Sequence, residues 1–236
     1  MKKRILCIGD STSLPGHTNT FEDTWYYKLS EEFSNYKFIT VFRRAITTNI
    51  LVREGGGDSI DNQPSGADCL EFYKPSLVII QLGIVDCAPR LLINFDKIIL
   101  KLLPPKYHNT YIWLIKKIRK RKQKNTQVSI SNFQKNLINY IERSLLIGVE
   151  KIIFIAIPFP DNRMIKKNPL IEENVSIYNK IIEDLSKKYK FIEVIAPLDS
   201  RKYNDVIFED GYHPNPLGNN IVFNALREHI YVEKSI

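Results

Sequence analysis

Along nearly the whole chain of 236 residues, short runs rich in β-branched residues alternate with stretches whose apolar residues recur every three or four positions. RILCIG (4–9), KFITVF (37–42), SLVIIQLG (76–83), KIIFIAIP (151–158) and KFIEVIAP (190–197) have the length and composition of strands. Between them, FEDTWYYKLSEEF (21–33), SNFQKNLINYIERSLL (131–146) and PLIEENVSIYNKIIEDLSKKY (169–189) carry the period of helices buried on one face. Thr20 with Asp23, and Ser131 with Gln134, have the spacing of N-terminal caps for two of these. A last helix is expected from about Pro216 to Ile230, with proline in its first turn.

Nearly continuous hydrophobic strands alternating with helices call for a parallel sheet covered on both faces, because a strand with only one buried face would alternate apolar and polar residues. Right-handed crossovers then produce an α/β fold of the three-layer α/β/α sandwich type. The length suits a single domain over 1–236, interrupted by a segment at about 91–130 that breaks the rhythm and is longer than a simple loop. In such sheets ligands bind outside the carboxyl ends of the strands. The residues just after the first four runs are Asp10 and Ser11, Arg43 and Arg44, Asp86 and Arg90, and Asp161 and Arg163; the fifth run leads to EDGYHPNPLGN (209–219).

The start, Lys2-Lys3-Arg4 followed only by Ile5 to Ile8 before Gly9 and Asp10, is too short for the apolar region of a signal peptide, so it reads as a first strand and the protein as cytoplasmic. Three cysteines, Cys7, Cys69 and Cys87, have neither CxxC spacing nor even number, which argues against a disulfide framework or a zinc cluster. The histidines and cysteines lack metal-ligand spacing, and no Gly-rich phosphate loop follows the first strand, so neither a metal nor a nucleotide or flavin cofactor is expected. The net charge of +8 is largely local: KKIRKRKQK (116–124) follows the apolar YIWLI (111–115), a helix with an apolar start and a basic end. Such a segment suits a solvated helix end or, through 111–124, an anionic membrane surface that would make the protein peripheral there. The run has no accompanying recognition motif, so nucleic acid is not an expected partner.

A serine is a weak nucleophile until a histidine takes its proton, and that histidine works best when a carboxylate fixes its tautomer. Ser11 lies at the end of the first strand, where Asp10 and Ser11 could equally be ordinary turn residues. Of the four histidines, His17 lies in the following loop, His108 in the insertion and His229 at the end of the last helix. His213 stands in DGYHP, three residues after Asp210, a spacing that lets the carboxylate turn back onto the imidazole.

GDS at the end of strand one together with DGYHP near the C-terminus resembles the SGNH, or GDSL-type, hydrolase family. The resemblance implies Ser11 as nucleophile, His213 as general base and Asp210 as its orienting acid. It also implies a flavodoxin-like five-stranded sheet of order 2-1-3-4-5, with Ser11 at the topological switch point. In the family's second block a glycine N–H helps hold the oxyanion; here the stretch is FRRAITTN, and Thr48 falls at that place. The third block reads like GxND in the family and GIVD, Gly83 to Asp86, here, so Val85 stands where an asparagine side chain would donate. Thr48, Gly83, Asp86 and Arg90 are thus the expected oxyanion- and substrate-binding residues, with Asn49 or Gln81 as substitutes for the missing donor. The activity implied is hydrolysis of small acyl esters, on a carbohydrate or a glycolipid. Arg43, Arg44, Arg90 and Arg163 would form a cationic rim favouring an anionic substrate. The same serine could serve an O-acyltransferase if a sugar hydroxyl replaced water. Val85 favours a third reading, a non-catalytic carbohydrate- or membrane-binding protein with a degenerate site.

Overall fold

The computed structural model describes residues 2–16, 19–52, 66–89, 92, 94–119, 126–199, 205–208 and 210–231. Five strands, β1 (Arg4–Gly9), β2 (Lys37–Phe42), β3 (Leu77–Gln81), β4 (Lys151–Ile155) and β5 (Ile192–Ile195), pair in parallel in the order β2-β1-β3-β4-β5. The sheet is the expected one, order included. Ile8 of β1 lies opposite Val41 of β2 and Ile80 of β3, and Ile80 lies opposite Phe154 of β4. Every residue of β3 is buried, whereas β2, at the edge, has none buried. β1 and β2 have the bounds their apolar runs predict. β3 and β4 end before their runs because the chain stays buried after it stops pairing: Leu82 and Gly83 are buried but lead directly into α3 (Ile84–Cys87), and Ala156 to Pro158 are buried beyond β4; β5 is shorter than its run at both ends.

Side chains of a strand alternate between the two faces, and each face has its own core. Leu6, Ile8, Val78, Ile80, Ile152 and Phe154 belong to one, with Phe133, Leu137 and Tyr140 of α6 (Ile130–Ile147) and Val175, Tyr178 and Ile182 of α8 (Ile171–Lys188). Ile5, Cys7, Leu77, Ile79, Ile153 and Ile155 belong to the other, with Trp25 and Leu29 of α1 (Trp25–Glu32) and Val222, Leu226 and Ile230 of α9 (Pro216–Tyr231). This is the three-layer arrangement. Each fully buried side chain of this size contributes about 1.5–3 kcal/mol relative to leaving it in water, so these two surfaces hold the sheet centrally and fix where its carboxyl edge opens. The remaining helices are α2 (Gly66–Tyr73), α4 (Asn94–Leu102), α5 (His108–Arg119) and α7 (Asn162–Lys167).

Two helix starts differ from expectation. α6 is capped by Ser129, whose Oγ accepts from the Asn132 N–H at 3.2 Å, and Ser131 lies inside the helix. The first available hydroxyl before the apolar face captured the free N–H, which left the Ser131–Gln134 pair no cap to make. Thr20 does donate to Asp23, through N–H at 2.8 Å and Oγ1 at 3.1 Å, but α1 begins only at Trp25 because the Thr24 hydroxyl closes a turn onto the Phe21 carbonyl at 2.6 Å.

Candidate active site

The chain leaves β1 into a single 3-10 turn, Ser11–Ser13, capped by Asp10. The buried Asp10 carboxylate accepts from the Thr12 N–H at 2.9 Å and the Thr12 hydroxyl at 2.7 Å, while its own N–H donates to the Gln81 carbonyl at 3.2 Å. Behind it, the Gln81 side-chain oxygen accepts from Ser13 Oγ at 2.6 Å and from Trp25 Nε1 at 2.9 Å. Burial pushes the Asp10 carboxyl up to about 7; the nearby Asp86 charge adds to the rise, and the two Thr12 bonds oppose it. With Asp10 and Ser13 held inward by these bonds, Ser11 is left at the turn's outer side.

His213 is brought to that serine by the loop before α9. The Gly211 N–H donates to the Phe208 carbonyl at 3.0 Å, the Phe208 N–H donates to the His213 carbonyl at 2.9 Å, and Asn215 N–H donates to the Val206 carbonyl at 3.0 Å. Gly211 sits at φ +94°, and a Cβ there would come within 2.7 Å of Asp161 Oδ1 and 2.8 Å of Met164 Cβ, so only glycine fits. Asp210 Oδ1 accepts from the N–H groups of Tyr212 and His213, both at 3.1 Å, which locks the carboxylate under the ring. Its Oδ2 lies 2.5 Å from His213 Nδ1, and His213 Nε2 lies 2.9 Å from Ser11 Oγ. The Tyr212 ring packs against the imidazole with centroids 4.2 Å apart. Ser11, His213 and Asp210 therefore form one hydrogen-bonded line, with both His213 and Asp210 only partly exposed.

Ser11 and His213 open onto a cavity of about 660 Å³, within the size range of small-molecule sites. Pro15, Gly16 and Arg44 contribute to its wall, and Ile84, Val85, Ala88, Met164 and Tyr212 make much of it apolar. Ala45 lines it too. This alanine has φ +60°, an uncommon conformation for a residue with a Cβ, and no described hydrogen bond uses its N–H.

Several expected residues lie elsewhere. Thr48 is buried outside the cavity lining, and both its N–H (2.9 Å) and its hydroxyl (2.6 Å) donate to Asp86 Oδ1. The Asp86 carboxylate takes the Thr48 N–H that an oxyanion would need, and Asp86 in turn is a buried tie between α3 and the turn after β2. Gly83 precedes α3 at φ +127° and faces Ile157, whose Cδ1 would lie 2.5 Å from a Cβ, so its role there is steric. Asn49 Oδ1 accepts from Asn136 at 2.9 Å, and the Gln81 oxygen accepts from Ser13 and Trp25 while its buried Nε2 has no hydrogen-bond partner among the described residues; neither residue lines the cavity. Val85 does line it, 8% exposed. Of the four arginines, Arg44 alone lines the cavity among the described residues; Arg163 is paired with Asp161 at 2.5 Å and donates to the Phe208 carbonyl at 3.1 Å, bracing the His213 loop. Arg90 and His17 lie outside the described residues. Ala45, Met164 and Tyr212 were not anticipated. Tyr212 had a signal, its place beside His213, but nothing in the sequence marks an alanine for positive φ or a methionine for a cavity wall.

A parallel sheet of order 2-1-3-4-5 with a serine, histidine and carboxylate in line at its switch point defines a serine hydrolase of flavodoxin-like type. The family model of GDSL-like lipases and acylhydrolases matches residues 5–226, and the chain belongs to that family. That membership makes it an acylhydrolase. The fold is similar to the lipase/acylhydrolase from Enterococcus faecalis, with TM-score 0.63 and 16% identity over 97% of this chain and 95% of that one. It is similar to the psychrotrophic esterase EstA from Pseudoalteromonas sp. (TM-score 0.60, 16% identity, 99% and 100% covered). It is also similar to Est24, a carbohydrate acetylesterase from Sinorhizobium meliloti (TM-score 0.59, 17% identity, 98% and 99% covered). No curated protein matches the sequence.

Proposed function

We propose that the chain cleaves a small acyl ester of a carbohydrate or glycolipid through Ser11. The hydrogen-bonded line from Asp210 to His213 to Ser11 Oγ carries this reading. His213 Nε2 takes the Ser11 proton as Oγ attacks the ester carbonyl carbon, and Asp210 holds Nδ1–H and balances the imidazolium that forms. The tetrahedral intermediate collapses to the acyl-Ser11 ester as Nε2 returns the proton to the departing alcohol. Water, deprotonated by the same nitrogen, then releases the acid.

The N–H groups of Ser11 and Ala45 are the donors we assign to the oxyanion: Ala45 adjoins the cavity with its N–H outside the described hydrogen bonds. Val85 stands at the position of the family's asparagine and cannot donate, which lowers transition-state stabilisation by about 3 kcal/mol relative to a three-donor site. The apolar wall of Ile84, Val85, Ala88 and Met164 suits an acyl chain, and the exposed Arg44 at the mouth suits an anionic group on the alcohol side. On this reading residues 1–236 are one catalytic domain and 91–130 an insertion in it. Labelling with a fluorophosphonate, with the modified residue located by mass spectrometry, tests the assignment. Modification at Ser11 that disappears in His213→Ala is the expected result; a folded protein that stays unlabelled overturns it. Among substrates, O-acetylated acidic sugars are expected to be turned over faster than neutral ones, with the preference lost in Arg44→Glu.

A further inference from the structure

We infer that α4 and α5 form a docking surface for an anionic lipid bilayer. The two helices are joined on their inner sides: the Tyr111 hydroxyl of α5 donates to Asp96 of α4 at 2.9 Å, and His108 Nε2 lies 2.9 Å from the Leu103 carbonyl. Asp96 and Ile115 are buried there. The other side of each helix carries, beside its polar residues, large apolar side chains that a helix facing only water would keep inward. Phe95, Ile98 and Leu102 make an exposed stripe along α4, 64%, 56% and 80% accessible, and Trp113, Leu114 and Ile118 do the same along α5. With Tyr107 between the helices, these are half of the large exposed apolar side chains among the described residues.

Charge selects the occupant. Ten of the 34 lysines and arginines fall within 91–130 against one of the 26 acids, the buried Asp96, so this segment carries +9 and the remaining chain −1. Lys101, Lys106, Lys116 and Lys117 are exposed beside the apolar stripes, and the ammonium groups of Lys106 and Lys117 stand over the rings of Tyr107 and Trp113, 5.0 and 5.2 Å from their centroids. A nucleic acid or a soluble polyanion would satisfy the lysines and leave the apolar stripes in water. A bilayer of anionic lipid satisfies both, with rings and aliphatic chains at the headgroup boundary and ammonium groups on the phosphates. The helices lie on the bilayer. At about 14 and 18 Å they are shorter than its hydrocarbon core, and no helix among the described residues is long and apolar enough to cross it. α4 follows closely on Pro89, which lines the cavity, so docking would bring the mouth near the lipid.

The full chain, mixed with vesicles of phosphatidylcholine alone or with a third phosphatidylglycerol, is to be sedimented while tryptophan emission is followed. Trp25 is fully buried and Trp113 is 59% exposed, so a shift in emission reports the docking surface. Expected are binding and a blue shift with phosphatidylglycerol only. Lys116→Glu/Lys117→Glu should weaken binding about thirtyfold or more, and Trp113→Ser/Leu114→Ser/Ile118→Ser should abolish it. All are surface changes that leave circular dichroism unaltered. Absence of binding at low salt overturns the inference. So does binding that the triple serine variant retains, which marks a polyanion site, or a dimer that this variant dissociates and that ignores vesicles, which marks a second copy as the occupant.

Discussion

The carboxyl edge of the sheet and the α4–α5 pair both present chemistry-bearing residues to solvent, but they differ in how those residues are held. At the edge, the groups around Ser11 are held by hydrogen bonds: Asp10 by Thr12, the Gln81 oxygen by Ser13 and Trp25, Asp210 by two N–H groups and His213. On the helical pair, large side chains are held by their backbone and touch water. The first region is positioned by its own fold, which chemistry at fixed distances requires. The second suits a deformable partner, because lipid needs no exact geometry. The contrast separates a site that acts on one atom from a surface that spreads over many.

The sharpest way to break the contrast is at the serine. His213→Ala or Ser11→Ala should lower kcat for a chromogenic ester by about 10⁴-fold or more, with thermal stability unchanged, measured by steady-state kinetics and melting. Equal loss of activity from the triple serine change on α5, with a water-soluble ester, would show that the two regions are one. Next in size is Val85→Asn, which offers the oxyanion a third donor and should raise kcat by roughly a hundredfold. An unchanged rate would show that position 85 does not face the developing charge.

Stability changes should follow the same division. Gly211→Ala forces a Cβ into Asp161 and Met164 at positive φ, and should destabilise by about 2 kcal/mol in urea melts while reducing kcat; the exposed Leu102→Ser should stay within about 0.5 kcal/mol. The buried Asp10 gives the edge a pH signature. Burial raises its folded pKa to about 7 from an ordinary 3.8, so between those values the folded state holds a proton that the unfolded state has lost. Stability from this group therefore falls as pH rises from about 4 to about 7, on the order of 4 kcal/mol in all, and is level above. Asp10→Asn should flatten that decline in denaturation measured at pH 5 and pH 8.

The strands and helices were legible because periodicity is local. Runs 4–9 and 37–42 became strands with those bounds, and helix starts slipped by one to four residues where a hydroxyl such as Ser129 or Thr24 found a nearer partner. The turn after β1 and the DxxH loop were readable because they are local too, but it was the family resemblance that singled out Ser11, Asp210 and His213, which the fold brings into one hydrogen-bonded line. The surroundings were not. Thr48 was expected to face the oxyanion, but Asp86, 38 residues away, accepts its N–H. Ala45 carries no mark of its positive φ, because the conformation is imposed by how β2 hands over to the following turn.

What the sequence determined by itself was the five strands, the main helices that alternate with them and hence a parallel sheet, together with the residue types able to do acyl chemistry; it did not mark the short helices α2, α3, α4 and α7. Distance was decided by the tertiary structure alone. Ser11 and His213 are 202 residues apart and meet at 2.9 Å because β1 is central in the sheet and α9 packs with α1 on one of its faces, a cooperative result of burying two cores. The same burial had no room for the outer stripes of α4 and α5, and left them facing solvent.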